Sequence, residues 1–319
     1  MVMREADASS VGLAGGGERV AVGVDAVHRD VGLGEMTWFG VGGAADRYVE
    51  PGSLEGLVGV VRGCAEGGDR LRVLGKGANL LVADEGVGGV VVKLSGDWFR
   101  RVEIDGESGV VRVGAGAELE RLVTGTVRAG LGGLEVLAGV PATVGGAIRM
   151  NAGGAFGEIG SVVRSVTVMG GDGEQRVVNS DQCGFGYRRS AFRDEVVVGA
   201  EFALQPGDPV KLRERLKEVM AYKRDSQPMA ASSAGCCFKN PDKDVSEKGA
   251  GRLIDEAGLK GLRMGGAEVS QRHANFIVLH EGARADDVVR LMSEVQRRVA
   301  ERFGVELVRE VVVWSRELD

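Results

Sequence analysis

Cysteine is scarce in this sequence, and its spacing does not fit a metal site. Only four of the 319 residues are cysteine, namely Cys64, Cys183, Cys236 and Cys237. They form no C-x-x-C pair and no Cys/His spacing typical of zinc, and the adjacent pair is poorly placed for a structural disulfide. The sequence therefore predicts free thiols, a reducing compartment and no bound metal.

Long apolar runs and an excess of positive charge are also missing. No run of about 18 apolar residues occurs, so we expect no membrane-spanning helix. The early acids Glu5 and Asp7, with no apolar segment before a cleavage site, argue against a secretory signal. The net charge of −6 and the pI of about 5.4 argue against a nucleic-acid partner. We expect a cytoplasmic protein.

Glycine is the residue in excess. The sequence has 53 glycines, whereas average usage is roughly 7%, and no Gly-X-Y period accompanies them. Their pairs and triples between apolar runs predict tight turns and close approaches of the backbone to a ligand, although a GC-rich genome would also raise the glycine content. Gly75-Lys-Gly77 follows a predicted strand, but Leu80 occupies the sixth position, so the dinucleotide fingerprint fails. Such loops can still hold a pyrophosphate through their N–H groups.

Strands alternate with helices along the chain, which predicts an α/β or α+β layering. We expect helices over 54–64, 119–131, 211–224, 253–257 and 285–303, and a short helix capped by Thr143. Strands are expected over 46–49, 71–74, 90–94, 110–113, 162–169, 175–178, 196–204, 276–279 and 311–314. Composition changes near Gln205-Pro-Gly-Asp208. The predicted organisation is a flexible lead-in (1–30), a first domain (31–205) and a second domain (206–319).

The segment Ser233-Ala-Gly-Cys-Cys-Phe-Lys-Asn-Pro241 concentrates reactive side chains. It combines two thiols, an ammonium group and an amide with small residues that let a ligand approach the backbone. Cys236 offers a proton with a pKa near 8.5 in a free thiol, and Lys239 and Asn240 could hold an anion beside it. The alternative interpretation is a turn with two buried cysteines.

Several ordered motifs together resemble one enzyme family, UDP-N-acetylenolpyruvoylglucosamine reductase, also called UDP-N-acetylmuramate dehydrogenase. The resemblance spans about residues 37–314 and rests on the segments Thr37-Trp-Phe-Gly-Val-Gly-Gly-Ala44, Leu74-Gly-Lys-Gly-Ala-Asn-Leu80, Ala138-Gly-Val-Pro-Ala-Thr-Val-Gly-Gly-Ala147, Met150-Asn-Ala-Gly153, Phe185-Gly-Tyr-Arg188, Ser233 to Pro241, His273-Ala-Asn-Phe-Ile277 and Phe303-Gly-Val305 leading to Glu310. The short spacing after Arg188 is similar to the compact form, which lacks an inserted, tyrosine-bearing element.

The resemblance implies a fold, cofactors and a reaction. The fold is α+β, with a vanillyl-alcohol-oxidase (PCMH)-type FAD-binding domain followed by a smaller α+β substrate-binding domain. FAD is bound non-covalently, NADPH is the co-substrate, and UDP-N-acetylglucosamine enolpyruvate is reduced to UDP-N-acetylmuramate for peptidoglycan. Hydride comes from N5 of the reduced flavin. We expect a monomer without nucleic-acid or membrane partners.

The resemblance also implies site residues. Arg188 would stabilise the charge that develops beside the substrate carboxylate, Cys236 would donate the proton in place of the serine of many members, and Glu310 would assist as a carboxyl with a raised pKa. Glu306 is the alternative acid. The other implied contacts are Gly75, Gly77, Ala78, Asn79, Gly139, Thr143, Gly145 and Gly146 for the cofactor, and Tyr187, Arg224, Lys239 and Asn240 for the substrate. His273 is expected to be structural, and Cys237 to face the core.

Two other functions remain open from the sequence. One is a non-catalytic flavin or nucleotide binder, against which Arg188, Cys236 and Glu310 argue. The other is a flavin oxidase acting on a hydroxy acid. Against an oxidase with covalent flavin, the loop 75–80 contains neither histidine nor cysteine.

Overall fold

The computed structural model describes residues 26–228 and 232–316. Residues 1–25 of the predicted lead-in lie outside the described residues, and residues 27–32 form a strand. In chain order the strands are β1 (Val27–Gly32), β2 (Ala44–Val49), β3 (Leu71–Val73), β4 (Leu80–Val82), β5 (Val87–Val92), β6 (Val102–Ile104), β7 (Val110–Gly114), β8 (Leu131–Gly132), β9 (Gly153–Gly154), β10 (Gly157–Glu158), β11 (Val163–Met169), β12 (Gln175–Asn179), β13 (Val196–Ala203), β14 (Gln205–Pro206), β15 (Arg263–Met264), β16 (Ala267–Val269), β17 (Ile277–Leu279) and β18 (Val312–Trp314).

Each helix that was predicted with bounds matches a helix of the structure to within three residues at each end, whereas the short helix Asp97–Arg100 was not predicted. The helices are α1 (Leu54–Gly67), α2 (Asp97–Arg100), α3 (Leu119–Arg128), α4 (Val144–Arg149), α5 (Pro209–Ser226), α6 (Ala250–Glu256) and α7 (Ala285–Phe303), with 3-10 turns at Gly34–Met36, Glu135–Leu137, Ile159–Ser161 and Ser180–Gln182. The prediction that α3 extends to residue 131 was wrong. Leu131 and Gly132 form β8, which pairs with β14, so they cannot continue the helix. Among the described residues, no helix is long and apolar enough to span a membrane.

The first sheet joins one antiparallel strand to three parallel ones, in the order β1-β2-β5-β3. Helix α1 makes the crossover between β2 and β3. It begins at Ser53, whose hydroxyl accepts a hydrogen bond from the Gly56 N–H at 3.1 Å, and it ends at Gly68, whose φ is +67°. Both are favoured capping residues. The apolar face of α1 is buried, which fixes the helix on the sheet.

The second sheet is antiparallel, in the order β12-β11-β13-β7-β6. Its buried side chains pack with α1, α3 and α4 in one apolar cluster that runs from Val49 to Leu204. Residues of both sheets contribute to this cluster, so one continuous core supports both sides of the cleft described below.

The C-terminal region forms a second core. The strands β15-β16-β17 make an antiparallel sheet, and α6 and α7 supply buried residues of the same cluster. Two residues of the N-terminal half, Phe39 and Leu81, also belong to this cluster. In addition, β18 pairs in parallel with β4. Strand β18 therefore returns to the N-terminal half, across the boundary that the sequence placed near residue 205.

Asp84 links the two halves by capping a helix from a distant part of the chain. It lies just after β4, and its carboxylate accepts hydrogen bonds from the N–H groups of Ala285 and Asp286 at 3.1 Å each. These two N–H groups lie in the first turn of α7, where backbone donors have no acceptor inside the helix. Asp84 therefore acts as an N-terminal cap for α7, although about 200 residues separate them.

We predict that Asp84→Ala lowers the free energy of unfolding by about 1–2 kcal/mol, the usual cost of losing an N-terminal cap. Asp84→Asn keeps an oxygen acceptor and should lose less. Urea denaturation followed by circular dichroism measures both values. The control is Asp97→Ala, since the Asp97 side chain is fully exposed and its loss should change stability by no more than about 0.5 kcal/mol. Equal losses for Asp84→Ala and Asp97→Ala would contradict the capping role.

Candidate active site

A cleft between the N-terminal sheet, α4 and the cysteine segment brings most of the predicted site residues together. One cavity of about 330 Å³ is lined by the loop 75–79, residues 139–143 and 233–236, Arg188 and Glu310. A second cavity of about 540 Å³ shares Gly75, Lys76, Thr143 and Gly146 with the first and also includes Gly145. Because the two cavities share these residues, they form one elongated cleft of a size used for small ligands.

The glycine-rich loop after β3 forms one wall of the cleft. Gly77 has a φ of +64°, and a Cβ there would stand 2.3 Å from the Met36 carbonyl oxygen, so no other residue fits this turn. A Cβ on Gly75 would stand 2.9 Å from the Thr143 hydroxyl across the cleft. Ala78 and Asn79 line the cavity too, and the Asn79 amide donates to the carbonyl of Glu310 at 3.1 Å.

The start of α4 forms the opposite wall. Thr143 caps this helix, as predicted, by accepting a hydrogen bond from the Gly146 N–H at 3.3 Å. Gly139 has a φ of +70°, and Gly145 packs so closely on Ala115 that a Cβ would stand 2.9 Å from the Ala115 methyl group. Gly146 is exposed in the cleft, and a Cβ there would meet only the Thr143 hydroxyl, at 3.3 Å.

The cleft fits an elongated cofactor. Glycine backbones border both walls, where the absence of side chains lets a ligand approach the main chain closely. Ser233 also lines the cavity, and its buried hydroxyl has no hydrogen-bond partner among the described residues. Buried hydroxyls nearly always have a partner, so a bound ligand would supply the missing one. The described residues contain no group of three His, Cys, Asp or Glu side chains suited to a metal ion.

Arg188 and Glu310 form a buried ion pair in the first cavity. The Arg188 Nε donates to Oε1 of Glu310 at 2.6 Å, and the side chains are only 19% and 13% exposed. Burial raises the pKa of the Glu310 carboxyl, and the Arg188 charge opposes that rise. The expected direction of the shift is therefore confirmed. The alternative acid, Glu306, is exposed and does not line the cavity.

Cys236 lies in the same cavity wall as this ion pair. Burial, followed by the nearby Glu310 charge, raises the pKa of its thiol to about 12. The expectation of a pKa near 8.5 was wrong, because it used a solvated thiol as its reference. At neutral pH the thiol stays protonated, so thiolate oxidation is disfavoured. Cys237 is fully buried in the C-terminal core, as predicted.

Asn275 holds the cysteine segment in place. Its side-chain amide accepts from the Phe238 N–H at 2.9 Å and donates to the Phe238 carbonyl at 2.8 Å. Its backbone carbonyl accepts from the Cys237 N–H at 2.8 Å. His273 in turn accepts a hydrogen bond from the Asn275 N–H through Nδ1 at 3.2 Å, which agrees with a structural role for this histidine. The sequence motif contained Asn275, but nothing in it indicated this pairing.

The four predicted substrate contacts do not line the cavity. Three of them lie around the turn that carries Arg188: the Tyr187 hydroxyl accepts from the Asn240 N–H at 3.2 Å, and the Lys239 ammonium donates to the Arg188 carbonyl at 3.5 Å. The Asn240 side chain accepts from the Ala250 N–H, at the start of α6. Arg224 is separate from this group, with a side chain that is 74% exposed near the end of α5.

Lys223 is a residue near the site that the sequence interpretation missed. Its ammonium donates to the Ala138 carbonyl at 2.7 Å. Burial, followed by the nearby Arg188 charge, lowers the pKa of Lys223 to about 8. Such perturbed groups cluster at functional sites. Its place in a highly charged helix made it look like part of a solvated face.

The fold, the glycine-lined cleft and the buried Arg–carboxyl pair define an FAD-dependent oxidoreductase. Residues 45–179 match the family described as FAD binding domain, and residues 227–314 match the C-terminal domain of UDP-N-acetylenolpyruvoylglucosamine reductase. The predicted α+β organisation, with an FAD-binding domain and a further C-terminal domain, is thereby confirmed.

Curated relatives and a solved structure extend the match to most of the chain. UDP-N-acetylenolpyruvoylglucosamine reductase 2 of Symbiobacterium thermophilum is 42% identical over 277 residues, covering 86% of this chain and 88% of the relative. The reductase of Carboxydothermus hydrogenoformans is 41% identical over 283 residues, covering 88% and 91%. The crystal structure of the Thermus caldophilus reductase superimposes with a TM-score of 0.78 at 41% identity, covering 91% of this chain and all of that one. The chain belongs to the UDP-N-acetylenolpyruvoylglucosamine reductase family.

We predict that Gly146→Leu weakens FAD binding by at least about tenfold, because its side chain would extend into the cleft from an open position. The ratio of flavin to protein absorbance after purification measures the effect. Gly125→Ala in α3 is the control, since its Cβ would meet only Ile104 at 3.5 Å, and it should keep its FAD. An undiminished FAD content in a folded Gly146→Leu protein would contradict the assignment of the cleft.

Proposed function

We propose that this chain reduces UDP-N-acetylglucosamine enolpyruvate to UDP-N-acetylmuramate, with NADPH as co-substrate and non-covalently bound FAD. The observation that carries the proposal is the 2.6 Å Arg188–Glu310 pair in a cavity that Cys236 also lines. These three groups supply charge stabilisation, a hydrogen-bond donor and a proton. The product is a precursor of peptidoglycan.

The reaction places negative charge beside the substrate carboxylate. FAD, held along the cleft by the glycine-lined segments 75–79 and 139–146, would supply the hydride chemistry that links NADPH to the enolpyruvyl group. The planar guanidinium of Arg188 can bind a carboxylate through two parallel hydrogen bonds. Within the described residues its guanidinium contacts Glu310 through Nε, which leaves Nη1 and Nη2 for the substrate. Its task is to stabilise the enol-like charge as that charge forms.

Glu310 completes the site for this charge. A raised pKa allows its carboxyl to carry a proton when an anionic substrate enters and further disfavours ionisation. In that form it donates a hydrogen bond to the enol or carboxylic oxygen, alongside Arg188. An ionised Glu310 would instead repel the developing charge, so burial of this carboxyl serves the chemistry directly.

Cys236 holds the proton that the substrate carbon receives. Its thiol is protonated across the neutral pH range because burial raises its pKa. When the proton leaves for the carbon next to the carboxylate, the Arg188 charge stabilises the resulting thiolate. Solvent then returns the proton, and the thiol is restored for the next cycle.

The test mixes the FAD-loaded protein first with NADPH and then, without oxygen, with UDP-N-acetylglucosamine enolpyruvate in a stopped-flow instrument. Flavin absorbance should fall in the first step and return in the second. We expect Cys236→Ala to retain the first step and lose about 100-fold or more in the second, as for loss of a general acid. Cys236→Ser should keep substantial turnover.

Two results would count against this proposal. Full substrate reduction by Cys236→Ala would remove Cys236 from the mechanism. Steady NADPH consumption that needs no enolpyruvyl substrate and forms peroxide would instead favour an oxidase.

We further predict that binding of this anionic substrate weakens as pH rises through about 8. The pKa of Lys223 is lowered to about 8, so its ammonium charge is present below that pH and lost above it. The KM for the enolpyruvyl substrate should rise by about tenfold between pH 7 and 9.5, because the Lys223 charge, held at Ala138 next to the cavity-lining Gly139, no longer attracts the anionic substrate. Lys223→Arg should abolish the rise, because arginine stays charged. A rise that persists in Lys223→Arg would exclude Lys223 as its origin.

A further inference from the structure

We infer that Asn151 is a positioning residue for the reaction, because it holds the turn Gly186–Arg189 and thereby orients the Arg188 guanidinium. The inference rests on the proposed role of Arg188 as the charge-stabilising group. Asn151 does not line the cavity, so it acts through the turn and not on the substrate.

The Asn151 side chain is fixed at both of its polar atoms. It is fully buried, and it follows α4 with a φ of +44°, a backbone region that asparagine tolerates well. Its Nδ2 donates to the Gly186 carbonyl at 3.0 Å, and its Oδ1 accepts from the Gly160 N–H at 3.0 Å. A Cβ on Gly160 would stand only 2.8 Å from that oxygen. The contact with Gly160 therefore fixes the orientation of the Asn151 amide, so that its Nδ2 stays directed at the Gly186 carbonyl.

The turn that Asn151 holds has an unfavourable backbone conformation at its functional residue. Gly186 and Arg189 exchange two hydrogen bonds of 3.1 Å, so Tyr187 and Arg188 form the tip. Arg188 has a φ of +52°, at the third position of the turn, where type II turns usually carry glycine. A side-chain-bearing residue keeps such a conformation only where the surroundings enforce it.

The restraints on this turn come from two parts of the chain. From the C-terminal half, Lys239 donates to the Arg188 carbonyl at 3.5 Å, and the Asn240 N–H donates to the Tyr187 hydroxyl at 3.2 Å. From the FAD-binding half, Asn151 contacts the first residue of the turn at 3.0 Å. Asn151 therefore fixes the base of the turn to the end of α4, whose other end borders the cofactor cleft.

Two substitutions of Asn151 distinguish the effect of its Nδ2 donor from the effect of the whole side chain. Asn151→Asp keeps an oxygen for the Gly160 N–H but replaces the donor to Gly186 by an acceptor. Asn151→Gly removes both contacts and tolerates the positive φ without strain. Val60→Ala is the control for lost stability alone, because Val60 is fully buried in α1, away from the cleft.

The experiment measures the two half-reactions of the FAD-loaded protein separately, together with the melting temperature and FAD content. We expect both Asn151 variants to slow the step that consumes the enolpyruvyl substrate by about tenfold to 100-fold, as misorientation of a catalytic group does. Flavin reduction by NADPH should stay within about twofold of the unmodified protein. Val60→Ala should lower the melting temperature without changing the ratio of the two rates.

A double-mutant cycle with Arg188→Ala supplies a readout that a purely structural role would not change. If Asn151 acts through Arg188, adding Asn151→Asp to Arg188→Ala should slow the substrate step by less than about twofold. Fully additive losses, or equal losses in both half-reactions, would overturn the inference. Failure of both Asn151 variants to fold would also overturn it, by showing that Asn151 is needed for the fold itself.

The same cycle distinguishes failure of the inference from failure of the proposed function. A normal substrate step in Arg188→Ala would overturn both. A slowed step in Arg188→Ala, with normal rates in both Asn151 variants, would overturn only the role of Asn151.

Discussion

The pairing of the chain's last described strand with the N-terminal half brings the parts of the site together. Residues 308–312 run between two neighbours. On one side Lys239 N–H donates to Val308, and the Glu310 N–H donates to the Cys237 carbonyl at 2.7 Å. On the other side the Val312 N–H donates to Asn79 at 3.1 Å, where β18 joins β4. One extended segment thus joins the cysteine segment 233–241 to the glycine-rich loop 75–79 and places the Glu310 side chain between them.

The Arg188–Glu310 pair adds little to the stability of the fold, for electrostatic reasons. Removing an arginine and a carboxylate from water is expensive, and a buried pair is often no better than apolar packing. The φ of +52° at Arg188 adds about 1–2 kcal/mol of backbone strain. The structure thus brings together a buried charge, a carboxyl with a raised pKa and a strained turn. Such unfavourable features cluster at binding and catalytic sites. The apolar cores on both sides of the cleft offset them.

Local patterns were enough to predict most helices and strands, and non-local contacts explain the misses. The apolar stripe of α7 and the glycine after it lie within 20 residues, and its predicted bounds match the structure. The start of α6 was placed three residues late, because its first N–H is capped by Asn240, ten residues earlier. Strand β4 was not predicted, since its three residues become a strand only by pairing with β18. The end of α3 depends in the same way on the pairing of β8 with β14.

The site was less predictable than the fold, because its chemistry depends on burial. Resemblance to a family named Arg188, Cys236 and Glu310, but neither periodicity nor spacing could have placed residues 122 positions apart at 2.6 Å. A thiol pKa of about 12 and a lysine pKa of about 8 both follow chiefly from loss of solvent, which only the packed structure defines. The same burial raises the pKa of the Cys236 thiol and lowers that of the Lys223 ammonium. It keeps a proton on the group proposed to donate one, and it leaves Lys223 charged only up to about pH 8, near the Arg188 guanidinium. A solvated site with the same side chains would hold neither a neutral thiol at high pH nor a carboxyl poised to carry a proton.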